Sequence, residues 1–335
     1  MPRYLVTGGL GFLGAPLVRA LLRAGHRVRV LDNGSRGRAD RLGDALGDVE
    51  LITGDIRDPE VVRGALHGMD AACHLAFVNG TRYFYEKPGD VLEVGVKGIL
   101  NVLEGCRREG VGELYLASSS EVYQTPSRIP TDETVPLVIP DPHNPRYSYG
   151  GAKIISELMA LHCGGESLAR VVIFRPHNVY GPDMGWEHVI PQLTWRILQQ
   201  QRATHQQPLD IPVQGNGEQS RAFIYLDDFI DGLMRVVERG EHRQIYHIGT
   251  TEEIRIRELA ERIAECLGVR IQLVPAQEAA GGTERRCPDT RKLQALGFRP
   301  QVSLSAGLRR TVAWYATHVP PAETEAVTVD VQGSP

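Results

Sequence analysis

Among the five cysteines, Cys73, Cys106, Cys163, Cys266 and Cys287, no two form a C-x-x-C pair, and their number is odd. That pattern argues against a disulfide framework and a structural zinc site, so no metal is expected; Cys73, inside an apolar run, reads as a packing residue. Long apolar runs are missing too. No stretch is long enough to cross a bilayer, and the apolar start is interrupted by glycines within a few residues, unlike a secretory leader. Neither charge sign dominates: the formal net charge is −4, with Lys and Arg scattered rather than striped, which gives no reason to expect a nucleic-acid surface. No internal repeat or low-complexity linker divides the 335 residues, a length that buries a sizeable core as one large domain or two modest ones sharing a cleft. The expectation is a cytoplasmic protein with neither a nucleic-acid nor a membrane partner.

What the chain does contain is a rhythm. Arg3–Val6, Arg27–Leu31, Val49–Ile52, Ala71–Leu75, Glu113–Ala117 and Val171–Phe174 read as strands, with helical patterns near Phe12–Ala24, Pro59–Leu66, Val91–Arg108 and Tyr149–His162 between them. Alternation of this kind predicts right-handed βαβ units, hence an α/β fold with a Rossmann-type doubly wound parallel sheet over residues 1–175. Past Pro176 the rhythm breaks into longer loops, 179–187 and 206–222, with helices near Val189–Gln200, Asp227–Arg239 and Ile256–Leu267. Residues 176–318 therefore read as a smaller α/β substrate-binding lobe. Residues 319–335, acidic, Pro-containing and without periodicity, read as a disordered tail.

Gly9-x-Gly11-x-x-Gly14, with Gly8 preceding, follows a strand and opens a helix. Glycine is needed where such a turn is tight and where backbone approaches a pyrophosphate at a helix N-terminus. Asp32 closes the second strand, where a carboxylate accepts from two ribose hydroxyls and repels a 2′-phosphate. NAD is thus favoured over NADP, although Arg36 and Arg38 lie just beyond and are the right charge for that phosphate. Tyr149 and Lys153, four residues apart, share one helical face. A nearby ammonium favours the phenolate, which can take a proton from a substrate hydroxyl while hydride leaves the same carbon. The two glycines between them, Gly150 and Gly151, cost about 1 kcal/mol each in a helix, which implies a close approach to that backbone. The run Ser118-Ser119-Ser120-Glu121 lies at a strand's carboxyl end, facing the crevice where ligands bind.

Together with Gly54-Asp55-Ile56 and His74-Leu75-Ala76, these features resemble the extended short-chain dehydrogenase/reductase family, within it the NAD-dependent nucleotide-sugar epimerases and dehydratases. The resemblance runs to about Tyr315. It implies a catalytic set of Ser119, Tyr149 and Lys153, with Glu121 added. The cofactor-binding set it implies is Gly8, Gly11, Phe12, Leu13, Gly14, Asp32, Asn33, Arg36, Asp55, Ile56, Leu75, Ala76, Tyr149 and Lys153. One departure stands out: relatives usually place Asn where this chain has Gly95, so whatever that Asn does in holding the lysine and the adjoining backbone falls here to water or another residue. Arg175-Pro176-His177-Asn178-Val179-Tyr180-Gly181-Pro182 resembles a segment whose Asn meets the sugar-nucleotide phosphates. Arg221 and Arg286 lie in segments that resemble those bringing guanidinium forks to the pyrophosphate. His177 and His188 are candidates to face the sugar, with packing as the alternative.

The family oxidises a sugar hydroxyl, usually at C4, and then diverges. The trio Ser119-Ser120-Glu121 resembles the Thr-Ser-Glu of sugar 4,6-dehydratases and uronic acid decarboxylases, with Glu121 as acid or base. Dehydratases of one large class carry Asp where this chain has Ser120. A 4-epimerase is the alternative, and an NADPH-dependent ketone reductase or a non-catalytic NAD sensor stand behind it. The implied ligand is a nucleotide-diphosphate sugar, and the implied assembly is a homodimer through the helices near 91–108 and 149–162, an isologous contact.

Overall fold

The computed structural model describes residues 1–204, 206–277 and 283–318; the tail read at 319–335 lies outside them. The chain opens with β1 (Arg3–Thr7), α1 (Gly14–Arg23), β2 (Arg27–Asp32), β3 (Val49–Thr53), α2 (Pro59–Leu66), β4 (Ala71–His74), α3 (Thr81–Glu86), α4 (Pro88–Glu109) and β5 (Glu113–Ala117). Then come α5 (Ser148–Met159), β6 (Arg170–Pro176), β7 (Val179–Tyr180), α6 (Val189–Ala203), β8 (Leu209–Gln214), β9 (Ser220–Ala222), β10 (Ile224–Tyr225) and α7 (Leu226–Arg239). The last elements are β11 (Gln244–Ile248), β12 (Glu253–Arg255), α8 (Ile256–Cys266), β13 (Ile271–Ala276), β14 (Arg285–Arg286), α9 (Arg291–Ala295) and α10 (Leu304–Thr317).

Local chemistry sets several of these boundaries. Asp58 caps α2 by accepting from the amides of Glu60 and Val61, and Pro59 occupies the first turn, where no N–H is missed. Pro88 starts α4 for the same reason, and Gly110, at φ 71°, ends it in the left-handed region.

Seven strands form one parallel sheet in the order β11-β6-β5-β4-β1-β2-β3. Successive side chains leave a strand on opposite faces. Tyr4 and Val6 of β1 therefore enter a core with Leu17 and Leu21 of α1 and Phe229 and Leu233 of α7. Leu5 enters the other core, with Val62 of α2 and Ile99 and Val102 of α4. Strand order reverses between β1 and β4, so a ligand crevice is expected at their carboxyl ends.

The smaller lobe has a core of its own, in which Tyr180, Ile190, Ile211, Leu259, Ile263, Leu308 and Tyr315 meet. Its strands are short: β8 pairs with β13, β9 lies between β12 and β14, and β10 pairs with β7. Two findings depart from the sequence reading. The stretch 206–222, expected as a loop, holds β8 and β9. Leu209–Gln214 does alternate buried and more exposed positions, but Pro212 within it masked the strand, and proline is tolerated here because, among the described residues, β8 has β13 as its only neighbour. The cut at residue 175 is also not a cut through the fold. After β7 the chain returns, so that α7 covers the main sheet and β11 pairs in parallel with β6, Gln244 beside Val172. Among the described residues, no helix is long and apolar enough to cross a membrane.

Candidate active site

A cleft of about 390 Å³ runs along the carboxyl ends of β1, β2, β4 and β5 and beneath the smaller lobe, within the size range of small-molecule sites. It is lined by Gly8, Gly11, Phe12, Leu13, Gly14, Asp32, Asn33, Arg36, Asp55, Ile56, Leu75 and Ala76 at one end. At the other end stand Ser119, Glu121, Tyr149, Lys153, Asn178, His188 and Arg286. Two site residues expected from the sequence, His177 and Arg221, are not among the lining residues.

The glycine turn is as tight as its composition implies. Gly8 has φ +72°, and a Cβ on Gly14 would lie 2.0 Å from the Gly8 carbonyl oxygen. Helix α1 starts at Gly14 with its amides toward the cleft, an arrangement suited to a pyrophosphate. Asp32 is oriented by its neighbours: Oδ2 accepts from the Leu10 amide at 3.0 Å and Oδ1 from the Gly34 amide at 2.9 Å. Each carboxylate oxygen keeps lone pairs for ribose hydroxyls, so the residues fit a dinucleotide with an unmodified adenine ribose. Arg36 and Arg38, the residues that could have favoured a 2′-phosphate, are engaged elsewhere: Arg36 with Glu187 at 3.4 Å and the Tyr83 ring at 5.3 Å, and Arg38 with Asp183 at 2.8 Å and Asp40 at 3.1 Å. Asp55 is held down to about 2 by its hydrogen bond from Arg57.

Tyr149 and Lys153 lie on the buried face of α5. Between them, a Cβ on Gly150 would meet the Gln124 side chain at 2.6 Å and the Glu121 carbonyl at 3.0 Å, because the Ser119–Gln124 turn presses against the helix there. A Cβ on Gly151 would instead meet the Ile139 side chain at 3.1 Å. Ser119 caps that turn, accepting from the Glu121 amide at 3.2 Å. Burial pushes the Tyr149 phenol up to about 12, while its hydrogen bond with Ser119 and the Arg36 charge pull it down. Burial draws the Lys153 ammonium down to about 7, opposed by Glu157. Lys153 Nζ donates to the Ala117 carbonyl at 2.6 Å.

Glu121 is not a free carboxylate. Its Oε1 accepts from Arg286 Nη1 at 2.7 Å. Burial alone would raise its pKa, but Arg286, Arg146 and Arg221 together outweigh burial and hold it below the ordinary carboxylate range. Arg221 sits behind Arg286. Its guanidinium donates to the Thr283 carbonyl at 2.5 Å, while Arg286 donates to the Thr283 hydroxyl at 3.0 Å. Burial, then the Arg286 charge, brings Arg221 down to about 10. Asn178, at φ 41°, donates to the Ala222 carbonyl at 3.0 Å. His188 stands at the N-terminus of α6, its imidazole lowered by burial and by Arg36, with Glu187 opposing.

The placement of His177 rules out the expected contact with a sugar. Its ring is fully buried and packs edge-to-face on His247 at 4.6 Å, both nitrogens without a partner among the described residues. Burial drives it well below its ordinary pKa, so it is neutral packing. His177 follows β6 directly: its amide donates to the Ile248 carbonyl at the end of β11 at 3.0 Å, which seats the ring against His247 and Gly249.

Sequence reasoning missed the support beneath the site. Arg175 and Glu157, each 2% exposed at the side chain, form a buried bidentate pair with N–O distances of 2.8 and 2.5 Å. Glu157 also accepts from Ser118, and Arg175 donates to Tyr123, whose hydroxyl meets His247 Nε2 at 2.7 Å. The signal was faint: Glu157 follows Lys153 by one helical turn. Asp183 was also missed; it takes Arg41 at 2.6 Å and Arg38 at 2.8 Å, tying the smaller lobe to the segment after β2. No group of side chains among the described residues could hold a metal ion.

A parallel sheet that turns a glycine loop toward a carboxylate, with Ser, Tyr and Lys lining the same cleft, defines a dinucleotide-dependent enzyme of Rossmann type. Residues 4–249 match the model of the NAD dependent epimerase/dehydratase family, and the chain belongs to that family of enzymes. Over 325 residues it is 30% identical to UDP-N-acetyl-alpha-D-glucosaminuronate decarboxylase of Bacillus cytotoxicus, spanning 93% of this chain and 97% of that protein. Its fold is similar to dTDP-glucose 4,6-dehydratase of Streptomyces venezuelae with NAD bound, at TM-score 0.81 and 31% identity, covering 94% of this chain and 97% of that one. It is equally similar to UDP-glucose 4-epimerase of Thermus thermophilus in complex with NAD, at TM-score 0.81 and 29% identity, covering 95% and 100%.

Proposed function

We propose that this protein is a nucleotide-diphosphate-uronate decarboxylase that oxidises the sugar at C4, releases carbon dioxide from C6 and reduces the ketone again. The observation that carries the choice within the family is the Glu121–Arg286 pair at the catalytic end of the cleft. A 4,6-dehydratase must protonate a leaving hydroxyl, yet Glu121 is held ionised and Ser120 is buried without acidic chemistry. A 4-epimerase needs no carboxylate beside its serine. A uronate needs a cation for its own carboxylate, and Arg286 is that cation.

Bound NAD would supply a reversible hydride acceptor beside the sugar carbon. Gly8, Gly14 and the start of α1 hold its pyrophosphate, and Asp32 its adenine ribose. The Tyr149 oxygen takes the proton of the C4 hydroxyl, with Ser119 sharing that hydroxyl and Lys153 favouring the phenolate. Arg286 turns from Glu121 to the C6 carboxylate. The C5–C6 bond then breaks, its electron pair passes into the C4 ketone as an enolate, and carbon dioxide leaves. Glu121, no longer paired, rises in pKa, takes up a proton from solvent and passes it to C5, which returns the enolate to the ketone. Asn178, which lines the cleft, is assigned to the nucleotide phosphates, with Arg221 adding its charge from behind Arg286.

Mass spectrometry after incubation with a panel of UDP-, GDP-, CDP- and dTDP-linked sugars and uronates tests this. Loss of carbon dioxide from a uronate is expected. Loss of water from a neutral hexose, or unchanged mass with altered stereochemistry, would assign the dehydratase or epimerase outcome instead. Glu121→Gln should stall the reaction after C4 oxidation and carbon dioxide release, for want of the proton to C5, so that the reduced cofactor absorbance persists.

The same reading extends to assembly and place. Leu92 and Leu100 on α4 and Ile155 and Leu158 on α5 are 40, 45, 39 and 51% exposed, an apolar strip across two packed helices. A homodimer that stacks these pairs as four helices would cover it. Sedimentation should give twice the chain mass, and Leu158→Arg should halve it. Five unpaired cysteines are in keeping with a cytoplasmic location.

A further inference from the structure

Position 95 on α4, where relatives carry Asn, is Gly95 for a steric reason. A Cβ there would lie 2.7 Å from the Phe77 ring and 2.8 Å from the Cβ of Ala152, closer than real Cβ contacts. The space a side chain on α4 would need is filled by an aromatic ring from the segment after β4. That ring contacts both halves of the acid–base pair. Its face lies 3.8 Å from Lys153 Nζ, and its plane meets the Tyr149 ring edge-on at 5.1 Å and 84°. Phe84 stacks on the same tyrosine at 4.8 Å and 20°. Phenol and ammonium are thus held between two phenylalanines.

We propose that Phe77 is a positioning residue which holds Lys153 against Tyr149 with its π face, doing what a polar side chain at position 95 does in relatives, and that Gly95 makes room for it. The proposal rests on the reading of Tyr149 and Lys153 as the proton-transfer pair. A π face stabilises a buried cation without offering it a competing proton acceptor. That matters here because burial already pulls the ammonium toward its neutral form. Edge and face contacts on two sides also fix the phenol's rotation. The titratable groups bearing on the pair are Glu157 on α5 itself, His74 on β4, Glu121 past β5 and Arg36 past β2. None of them is altered by a change at position 77.

Phe77→Leu keeps the volume and removes the π face. In the NAD-loaded enzyme, turnover of the substrate that the panel identifies should lose its alkaline limb, where Lys153 deprotonates, roughly half to one pH unit earlier. Its acid limb, where the phenolate reprotonates, should move up, KM should hold, and Phe77→Tyr should keep the parent profile. If Phe77→Leu does not fold, Phe77→Met is read in its place. A second readout needs no substrate. The ultraviolet phenolate titration of Tyr149, with Tyr149→Phe as the blank, should move to higher pH in Phe77→Leu, so an error in the assigned reaction leaves this test intact. Gly95→Asn alone should lose NAD binding, and Phe77→Ala with Gly95→Asn should recover it together with the alkaline limb. Unmoved limbs and an unmoved phenolate titration in Phe77→Leu would overturn the proposal, as would a double variant no better than Gly95→Asn alone.

Discussion

On the sheet side of the cleft, Gly8, Gly14 and Asp32 act through backbone spacing and a strand end, all within the first 32 residues. On the lobe side, Arg286 acts through a guanidinium that reaches Glu121 across 165 positions of chain. The first wall is built from steric minima, where the smallest residue is the only one that fits. The second is built from charges, each satisfied by a partner that a different loop supplies. A family can keep the first wall unchanged while varying the second, which explains how one cofactor site serves decarboxylases, dehydratases and epimerases.

Substitutions should break the two walls differently, and the largest effect falls where they meet. Tyr149→Phe removes only the oxygen proposed to take the proton, so kcat should fall about 10²–10⁴-fold while NAD stays bound. Normal turnover in that variant would take Tyr149 out of the mechanism; co-purified cofactor and steady-state rates measure both halves. Beneath the walls, Arg175→Met leaves Glu157 as an unpaired buried carboxylate, and a loss of about 3–5 kcal/mol in denaturant unfolding is expected. A loss no larger than a surface substitution gives would mean that water replaces the guanidinium. Gly14→Val tests the steric wall alone. Its Cβ must displace the Gly8 carbonyl from 2.0 Å, so NAD affinity should drop by about 1–3 kcal/mol or more, read by cofactor fluorescence titration. An unchanged affinity would contradict the tight-turn account.

The smallest effect is a pH dependence confined to the cofactor side. Asp55 is lowered to about 2 in the folded protein by Arg57, below its value of about 3.9 in an unfolded chain. Its contribution is therefore fully present above about pH 4 and is lost as pH falls toward 2. The pair is partly exposed, with side chains 37 and 29% accessible, and solvent screening limits it to about 1 kcal/mol or less. Asp55→Asn should be less stable than the parent at neutral pH by that amount, and the gap should close in acid. A gap that persists at pH 2 would point to lost packing instead.

The same contrast governs what could be read in advance. The strands and helices of the first half follow from local periodicity, and Gly11, Asp32, Ser119, Tyr149 and Lys153 each occupy a position that a strand end or a helix face determines. Gly150 and Gly151 imply a close approach, and the Ser119–Gln124 turn supplies it at Gly150 and the Ile139 side chain at Gly151. His177, by contrast, was chosen for its residue type within a motif. Only its seat beside the end of β11 decides that it packs on His247. Strand β11 belongs to the main sheet because the segment after α7 returns to lie beside Val172–Pro176, a pairing that nothing local announces.

The amino-acid order alone indicated the first six strands of the sheet, the NAD cofactor and a candidate proton-transfer pair, because each rests on a pattern that is local in sequence. Tertiary structure decided that Arg286 meets Glu121, that Glu157 lies under Ser118, and that Phe77 occupies the space left by Gly95. Those are meetings between distant segments. Their geometry is set by how the lobe and sheet pack, and the energy of a charge or a π face depends on which partner and how little water that packing leaves beside it.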